Sequence, residues 1–376
     1  MPRPSFDVII AGGGIIGAAC AVEATSRGLS VALVEADHIG GGATAAGMGH
    51  LVVMDDSEDQ FALTHYSQKL WHEISEELPA DCEFDSCGTI WVAADEDEMA
   101  EIKRKNLFYQ ARGVPAEILD AQALREAEPN LRAGLAGGLR IPSDAVIYPP
   151  CAARHFADSA AKLGARLFVG SPVIELNGTG AKLSDGTVIS AGVALNACGH
   201  WSPQLTAGIN VKKRKGHLVI TDRYPGLVRH QLVELGYLKS AHSSTTESVA
   251  FNVQPRRTGQ LLVGSSRQFG VDGNCVDQPI LAQMIDRATA FMPRLTRLQA
   301  IRVWTGFRAA TPDKLPLIGR SAEDNNLFLA TGHEGLGITT SLATARILVD
   351  ELLGSNSAIT REPYSPSRAG SVVAQT

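Results

Sequence analysis

What this sequence of 376 residues lacks excludes several classes of protein. Its six cysteines form no Cys-x-x-Cys pair and its ten histidines are scattered without metal-ligand spacing, so we expect no zinc site, no iron–sulfur site and no disulfide framework. No apolar stretch approaches the ~20 residues that a membrane span needs. The net charge of −6 gives no reason to expect nucleic acid as a partner. These absences indicate a soluble protein of a reducing compartment.

The start of the chain bears on its location. Because the first predicted strand begins at Phe6, no room is left for a signal peptide. We therefore expect a cytoplasmic protein, associated with a membrane only through partners. The length exceeds that of a single-core domain, so two domains or one interleaved pair are expected.

The first 35 residues contain a strand, a glycine turn, a helix and a second strand in succession. The apolar run 6–11 predicts a buried parallel strand, and residues 30–34 predict a second one that ends at Glu35. Residues 18–27 between them predict a helix. The turn that precedes this helix, residues 12–17, reads GGGIIG. This order is the context in which a GxGxxG motif binds a dinucleotide.

Each part of this motif has a physical role. Gly12 permits the tight turn, Gly14 lets backbone N–H groups approach a pyrophosphate, and Gly17 lets the helix lie close to the strands. The start of the helix, which includes Ile16, offers free N–H groups and the positive end of a dipole. The Glu35 carboxylate can accept hydrogen bonds from both ribose hydroxyls.

A glycine-rich stretch, residues 36–50, follows Glu35 and suits a backbone that wraps closely around a ligand. An NADP-type cofactor usually needs an arginine here, and the stretch contains none. A flavin dinucleotide, which lies further across the sheet, explains the long wrap better, so FAD is the predicted cofactor. The residues expected to contact it here are Ala36, Gly42, Ala43, Thr44, Gly47 and Met48, with Thr44 at a phosphate group.

The rest of the chain predicts an α/β fold (α+β overall) in which a parallel-sheet FAD-binding domain is interleaved with an antiparallel-sheet substrate domain. Strand patterns at 248–253 and 261–265, with a turn between them, carry the antiparallel character. The basic run 212–215 is interpreted as a solvated strand start. The predicted bounds are 1–80, 143–205 and 316–360 for the FAD-binding domain, 81–142 and 206–315 for the substrate domain, and 361–376 for a loosely ordered tail.

A second glycine turn lies near the C-terminus. A buried strand at 326–331 is followed by Gly-His-Glu-Gly-Leu-Gly and a helix from 338 to 353. This again predicts a helix N-terminus aimed at a cofactor edge, here that of the flavin, where its dipole would stabilise the anionic reduced ring. His333 is expected to act through its backbone. The residues predicted to bind the cofactor here are Gly332, His333, Gly335, Leu336, Gly337, Ile338 and Thr339.

Three widely spaced motifs resemble one family. They are the GxGxxG motif with its distal acid, the stretch Gly-Phe-Arg…Thr-Pro-Asp at 306–313, and the turn at 331–337. Together they resemble the D-amino-acid oxidase superfamily of FAD enzymes, which includes glycine oxidase, sarcosine oxidase and D-amino-acid dehydrogenase. The resemblance spans nearly the whole chain and implies a GR2-type Rossmann-like FAD-binding domain. It also implies further cofactor contacts from Val173, Ala197, Gly199, Trp201 and Gly306.

Departures from the family pattern bear on two predictions: whether the enzyme is an oxidase or a dehydrogenase, and how FAD is attached. Gly335 stands where glycine oxidase-like members carry an arginine, which looks more like D-amino-acid dehydrogenase. No cysteine follows Cys275, so the cysteine link of sarcosine oxidase-like members is missing and FAD should be noncovalent. Residues 248–253 contain no counterpart of the lysine that those oxidases use for oxygen activation, which favours a dehydrogenase.

One subgroup is similar in its closing Gly-Leu-Gly and in an Ala-Gly-Met-Gly-His segment like residues 46–50. It contains the flavin subunits of D-hydroxyproline dehydrogenase, opine oxidases and hydrogen cyanide synthase. Those subunits work with separate Fe–S or second-flavin subunits, so the resemblance implies that this chain has such partners in a hetero-oligomer.

The resemblance implies oxidation of a D-amino or imino acid, such as cis-4-hydroxy-D-proline or D-proline, by hydride transfer to the flavin. A planar, permanently charged guanidinium can bind the substrate carboxylate in a bidentate manner. The resemblance implies Arg308 for this role, because it matches the arginine of the family's Gly-x-Arg…Thr-Pro-Asp motif. Arg256 and Arg267 are weaker alternatives. His50 could take up the amine proton, and with Met48 it could face the isoalloxazine ring.

Two other classes of function remain open at this point. An NAD(P)H-dependent flavin reductase or monooxygenase would need a second GxGxxG motif, which the sequence does not contain. A non-catalytic flavin-binding subunit would not need Arg308 or the intact turn at 332–337. The electron acceptor is not fixed by the sequence.

Overall fold

Two large β-sheets and a set of helices make up the fold in the computed structural model, which describes residues 5–236 and 247–368. The described strands are β1 (Phe6–Ala11), β2 (Val31–Glu35), β3 (His50–Leu51), β4 (Thr89–Ala93), β5 (Glu117–Asp120), β6 (Gly137–Ile141), β7 (Ala145–Val146), β8 (Arg166–Val169), β9 (Val173–Asn177), β10 (Gly180–Leu183), β11 (Val188–Asn196), β12 (Lys212–Arg223), β13 (Gln231–Glu234), β14 (Glu247–Pro255), β15 (Gln260–Phe269), β16 (Ala300–Ala310), β17 (Leu317–Arg320), β18 (Leu327–Thr331) and β19 (His333–Glu334). The described α-helices are α1 (Ile15–Ser26), α2 (Gly42–Ala45), α3 (Glu58–Glu73), α4 (Glu96–Ala111), α5 (Ala121–Ala127), α6 (Pro149–Lys162), α7 (Ser202–Leu205), α8 (Gln278–Phe291) and α9 (Gly337–Leu352).

The first sheet is largely parallel and contains the predicted strand–helix–strand unit. Its order is β17-β18-β11-β1-β2-β8, and only β17 in this path pairs antiparallel with its neighbour. Helix α1 packs against α6 and α9, and α9 packs against α3. The core beneath these helices is built from small and aliphatic side chains of β1, β2, α1 and α9.

Helix α1 lies close to the sheet because glycine and alanine occupy several positions of its buried face. A Cβ atom at Gly17 would collide with the carbonyl oxygen of Gly12. Ala18, Ala19 and Ala21 are fully buried around it. The helix starts at residue 15, three residues before the predicted start, because the turn at Gly12–Gly14 leads directly into its first turn.

The second sheet has the order β19-β16-β12-β15-β14-β13-β4-β6-β5. Its described pairs are antiparallel except β13 with β4, which run parallel. Helix α8 packs on β14 and β15. The predicted combination of a parallel and an antiparallel sheet is confirmed, whereas the domain bounds stay a prediction. Strand β19 lies inside the predicted FAD-binding segment, yet it pairs with β16 of the second sheet.

The interpretation of residues 212–215 as a solvated strand start is wrong for two of them. Arg214 is 8% exposed and Lys215 is 2% exposed, because β12 lies inside the sheet between β16 and β15. Arg214 Nη1 lies 2.7 Å from a Glu334 carboxylate oxygen, and Lys215 Nζ donates to the Cys275 carbonyl. The free-energy cost of removing these two cations from water is therefore offset by the Glu334 carboxylate and the Cys275 carbonyl.

The prediction of a loose tail is wrong for residues 361–368. Tyr364 is fully buried, and its hydroxyl donates to the carbonyl of Asp59 at 2.6 Å. Arg368 pairs with Asp313 at 2.8 Å. Residues 369–376 of the predicted tail lie outside the described residues. Across the described ranges, no helix combines the length and the apolar character that crossing a membrane requires.

We predict that Gly17→Ala lowers the free energy of unfolding by about 1–3 kcal/mol, because the added methyl group must push α1 away from the Gly12 carbonyl. Thermal and denaturant unfolding followed by circular dichroism would measure it. Gly273→Ala is the matched control, since a Cβ atom there meets nothing within 4 Å. Equal stability of the two variants would contradict the predicted close contact.

Candidate active site

A cavity of about 640 Å³ is lined by residues of both sheets. One end lies at the carboxyl ends of β1 and β2, and the other lies against the second sheet. The predicted site residues that line it are Gly12, Gly14, Ile16, Glu35, Ala36, Gly42, Ala43, Thr44, Gly47, Met48, His50, Val173, Ala197, Gly199, Trp201, Gly306, Arg308, Gly332, His333, Gly335, Leu336, Gly337 and Ile338. Gly17 and Thr339, both predicted to bind the cofactor, are not among its lining, and neither is Arg256, a weaker candidate for the substrate carboxylate.

Glu35 lies at the end of β2 and presents its carboxylate to the cavity. One oxygen accepts the Gly13 N–H at 2.6 Å, and the other accepts the Asp37 N–H at 2.9 Å. A carboxylate has about four acceptor positions, so each oxygen keeps capacity for a ribose hydroxyl. The backbone bonds fix the orientation of the carboxylate before a ligand arrives.

The start of α1 faces the same end of the cavity. Gly14 occupies the N-cap position without a side chain, so it adds no cap of its own. The N–H of Ile15 donates to Thr44 Oγ1 at 3.0 Å. Thr44 was predicted to contact phosphate; in this structure its hydroxyl connects the glycine-rich wrap to the helix start. Phosphate contact by Thr44 stays a prediction.

Residues 36–50, the glycine-rich stretch after Glu35, approach their neighbours closely at several glycines. A Cβ atom at Gly306 of β16 would collide with Ala46, and one at Gly47 would lie 2.6 Å from Ile338 of α9. Gly42 has a φ of 58° and faces the ring of Trp201. A Cβ atom at Gly42 would lie 3.2 Å from that ring. These close approaches hold the wrap against β16 and the start of α9.

The C-terminal turn, residues 332–337, brings the start of α9 to the cavity. The His333 side chain points away into the protein, where Nε2 lies 3.0 Å from Thr344 Oγ1. Burial lowers the pKa of His333 to about 3, so the imidazole is neutral. Helix α9 begins at Gly337 without a side-chain cap. This arrangement agrees with a backbone role for His333, which stays a prediction.

Thr339 lies behind the cavity wall. Its hydroxyl donates to the His50 carbonyl at 2.8 Å and lies 3.3 Å from the Val52 N–H. It therefore holds the backbone that carries His50, and its hydroxyl is directed at protein rather than at the cavity.

Arg308 extends sideways across the second sheet. It stands on β16, and its Nη1 donates to the Ser266 carbonyl of β15 at 3.1 Å, so its side chain passes over the intervening strand β12. Gly216 of β12 makes this path possible, because a Cβ atom there would lie 2.5 Å from Nη1. The side chain of Arg308 also passes Gly335, where a Cβ atom would lie 3.5 Å from Arg308 Nε. The guanidinium is thus held between two glycines.

His50 lies in the cavity wall near Arg308. Burial, and secondarily the positive charge of Arg308, lowers the pKa of His50 to about 4. The imidazole is therefore neutral at physiological pH. Its Nε2 has no hydrogen-bond partner among the described residues.

Arg256, Arg267 and Met48 differ in whether they line the cavity. Arg256 pairs with Glu83 and stacks 4.3 Å from the centre of the Tyr148 ring, and it does not line the cavity. Arg267 does line it. Met48 packs in an apolar cluster with Leu218, and this cluster borders the cavity.

Two groups of lining residues are not apparent from the sequence. One is the buried ion pair of Arg214 and Glu334, which no local pattern reveals because the partners lie 120 positions apart. The other is a set of buried polar side chains on the second sheet: Trp91, Gln231, Asn252 and Ser265. Polar residues inside apolar strand patterns were the available signal for this second group.

The described residues fit a flavin dinucleotide. Glu35 and the start of α1 suit the ribose and the pyrophosphate, and the start of α9 suits the flavin edge. Cys198 lines the cavity, and burial raises the pKa of its thiol to about 12, which keeps the thiol protonated and unreactive. Noncovalent binding of the cofactor stays a prediction.

Comparison with known proteins gives one consistent family. The model of the FAD dependent oxidoreductase family (DAO) matches residues 7–351. Glycine oxidase of Geobacillus kaustophilus is 29% identical over 378 residues, which cover 96% of this chain and 97% of that protein. Hydrogen cyanide synthase subunit HcnC of Pseudomonas aeruginosa is 28% identical over 406 residues, which cover 93% and 92%.

Solved structures agree with these matches. A crystal structure of glycine oxidase from Geobacillus kaustophilus superimposes with a TM-score of 0.86 at 28% identity, covering 96% of this chain and 98% of that one. L-proline dehydrogenase from P. horikoshii superimposes with a TM-score of 0.87, covering 99% of both chains, and at 24% identity it supports the fold alone. The predicted fold class and the predicted cofactor, FAD, are confirmed.

We predict that Glu35→Gln raises the dissociation constant of FAD about 10-fold, because one acceptor of a charge-assisted hydrogen bond becomes a donor. Titration of apoprotein with FAD, followed by quenching of flavin fluorescence, would measure this. Glu175→Gln is the control, since Glu175 is an exposed residue paired with Lys182 at 2.9 Å. An unchanged dissociation constant in Glu35→Gln would contradict the assignment.

Proposed function

This chain belongs to the DAO family of FAD-dependent oxidoreductases, and from that premise we propose that it oxidises a small amino or imino acid at the carbon next to nitrogen. The observation that carries the proposal is the guanidinium of Arg308, held over Gly216 in the wall of the cavity. A fixed guanidinium suits the carboxylate that all such substrates share.

The chain's own residues then determine how the substrate lies. Arg308 binds the carboxylate and orients the carbon that will be oxidised. The apolar cluster of Met48, Leu218 and Leu262 keeps water from one side of the cavity. When bound, FAD supplies the two-electron acceptor that turns the C–H and N–H of an amine into a C=N double bond.

His50 acts in its neutral form in this scheme. An amine must be uncharged before the neighbouring carbon can lose a hydride, and the positive charge of Arg308 favours the uncharged amine. Neutral His50 can accept a hydrogen bond from that amine through Nε2. With a pKa of about 4, it orients the nitrogen rather than storing a proton.

The finer proposal is a dehydrogenase for D-configured substrates such as cis-4-hydroxy-D-proline or D-proline. Gly335 in the C-terminal turn and the lack of lysine in residues 248–253 support it. The second candidate is an oxidase that uses oxygen, favoured by the glycine oxidase relatives. A non-catalytic flavin-binding subunit is disfavoured by the ordered position of Arg308.

Partner subunits belong to the proposal as well. The HcnC relative is by name a subunit of hydrogen cyanide synthase. We extend this to an assembly in which a separate Fe–S or second-flavin subunit takes the electrons. A cytoplasmic location, with membrane association only through such partners, stays a prediction.

An anaerobic bleaching screen tests the proposal. The purified holoprotein is mixed with glycine, sarcosine, opines and both enantiomers of proline, 4-hydroxyproline and other amino acids, and flavin absorbance is followed. We expect one class of carboxylate-bearing amine to bleach the flavin, and the rate of recovery in air separates oxidase from dehydrogenase. Bleaching by none of them, with FAD bound, would contradict the function.

The position of Arg308 gives this screen a structural control. In Gly216→Ala the flexible guanidinium, rather than the backbone, has to move, so we expect about 10-fold weaker substrate binding at near wild-type stability. Gly273→Ala should leave both unchanged, since a methyl group there meets open space. Substrate binding by Gly216→Ala as tight as wild type would argue against Arg308 as the carboxylate partner.

The pH dependence of flavin reduction tests the role of His50. Its pKa falls from the ordinary 6.5 to about 4 in the folded protein, so His50 stays neutral until the pH drops to that region. We therefore expect the rate of bleaching at saturating substrate to show no inflection of His50 near pH 6.5. A wild-type inflection there that disappears in His50→Asn would show that His50 titrates normally and would overturn this role.

A further inference from the structure

A polar patch lies in the cavity wall beside the Arg308 site. We define it as Trp91, Gln231, Asn252 and Ser265, from the neighbouring strands β4, β13, β14 and β15. All four are at least nine-tenths buried, with exposed fractions between 2% and 5% of the residue: Trp91 3%, Gln231 2%, Asn252 5% and Ser265 4%. Each belongs to the lining of the cavity that we assign to cofactor and substrate.

The sheet register brings three members of the patch together. Trp91 lies opposite Val233, and Val233 lies opposite Asn252, so the three form one cross-strand row. Gln231 precedes Val233 by two residues and therefore points to the same face of β13. Asn252 in turn pairs with Gly264 of β15. Ser265, the next residue of β15, belongs to the patch because it lines the cavity, not because of the register.

Every member of the patch has a polar atom without a partner among the described residues. These atoms are Trp91 Nε1, Gln231 Oε1, Asn252 Oδ1 and Ser265 Oγ. Buried polar atoms are nearly always hydrogen-bonded, and leaving one unpaired is costly. Four such atoms in one wall of a ligand cavity indicate that a polar group of the ligand forms hydrogen bonds with them. Small rotations of the four side chains would direct these atoms at the ligand.

One hydrogen bond determines which end of the Gln231 amide is unpaired. Gln231 Nε2 donates to the hydroxyl oxygen of Thr89 at 3.1 Å. The amide oxygen, Oε1, has no partner among the described residues. The unpaired atom of Gln231 is therefore an acceptor, Oε1.

The patch thus combines an acceptor on Gln231 with a donor on Trp91, whose indole N–H can only donate. A hydroxyl both donates and accepts, so it matches this combination. A second carboxylate only accepts and would meet the Gln231 oxygen, and an ammonium only donates and would leave the indole unpaired. A hydrocarbon side chain would satisfy neither.

The distance from Arg308 fits the same ligand. The guanidinium reaches Ser266 on β15, while Asn252 lies one strand away on β14 and Gln231 two strands away on β13. Neighbouring strands are about 5 Å apart, so the patch begins roughly 5–10 Å from the carboxylate anchor. A hydroxyl a few bonds from the carboxylate carbon spans this distance.

We propose that this patch selects substrates that carry a hydroxyl group on the side chain or ring of the amino or imino acid. The inference rests on the proposed function, because it takes Arg308 as the carboxylate anchor. Gln231 and Asn252 are its specificity-determining residues: they bind the hydroxyl and do not take part in the oxidation.

Binding of redox-inert carboxylates tests the proposal separately from catalysis. Cyclopentanecarboxylate and cis-3-hydroxycyclopentanecarboxylate form one matched pair, and butanoate and 4-hydroxybutanoate form another. Dissociation constants are measured on the holoprotein from perturbation of the flavin spectrum. We expect the hydroxylated member of at least one pair to bind about 10-fold more tightly.

Variants assign this preference to the patch. Gln231→Leu and Asn252→Leu, each compared at matched flavin content and melting temperature, should each reduce the preference at least about threefold while the non-hydroxylated member binds as before. Gln122→Leu, on the exposed face of α5, should keep it. Equal affinities within both pairs, absence of binding by every probe, or a preference that survives both variants would overturn the inference.

These outcomes differ from failure of the proposed function. If the carboxylates bind with the expected preference but no amine bleaches the flavin, the patch stands and the reaction is wrong. If an amine bleaches the flavin with no effect of its hydroxyl and the matched pairs bind equally, the reaction stands and the patch is wrong.

Discussion

The contact between Gly17 and the carbonyl of Gly12 is the constraint on which the rest of the site depends. Because no side chain intervenes, α1 lies directly on the first sheet and its first turn opens at the end of β1. That closeness sets where Glu35 ends β2 and where Thr44 can reach the N–H of Ile15. A backbone held this tightly offers its N–H groups in a fixed arrangement and does not need to reorganise around a ligand.

The residues predicted to bind the nucleotide lie together at one end of the cavity because the determinants of that half of the site are local. Glycines at fixed spacing, an apolar strand on either side and an acid at the end of β2 all lie within 35 residues. The substrate half is different. The path of Arg308 depends on Gly216, which lies beside it only through the pairing of β12 with β16.

Burial of charge was the other feature that local patterns did not reveal. Arg214 and Lys215 look solvated in sequence, yet β12 lies inside the second sheet, and their partners come from the C-terminal turn and from Cys275. Tyr364 likewise becomes part of the core by reaching Asp59 across the fold. In each case the partner is distant in the chain, so no window of sequence contains both halves of the interaction.

Strand β19 has a mechanical consequence. Its residues His333 and Glu334 pair with Ala310 and Ala309 of the second sheet, although the chain on either side belongs to β18 and α9. Main-chain hydrogen bonds at the C-terminal turn, residues 332–337, therefore connect the two sheets. A movement that separates the two sheets would break these hydrogen bonds. Movement of surface loops therefore lets molecules enter and leave the cavity at a lower energetic cost than separation of the two sheets.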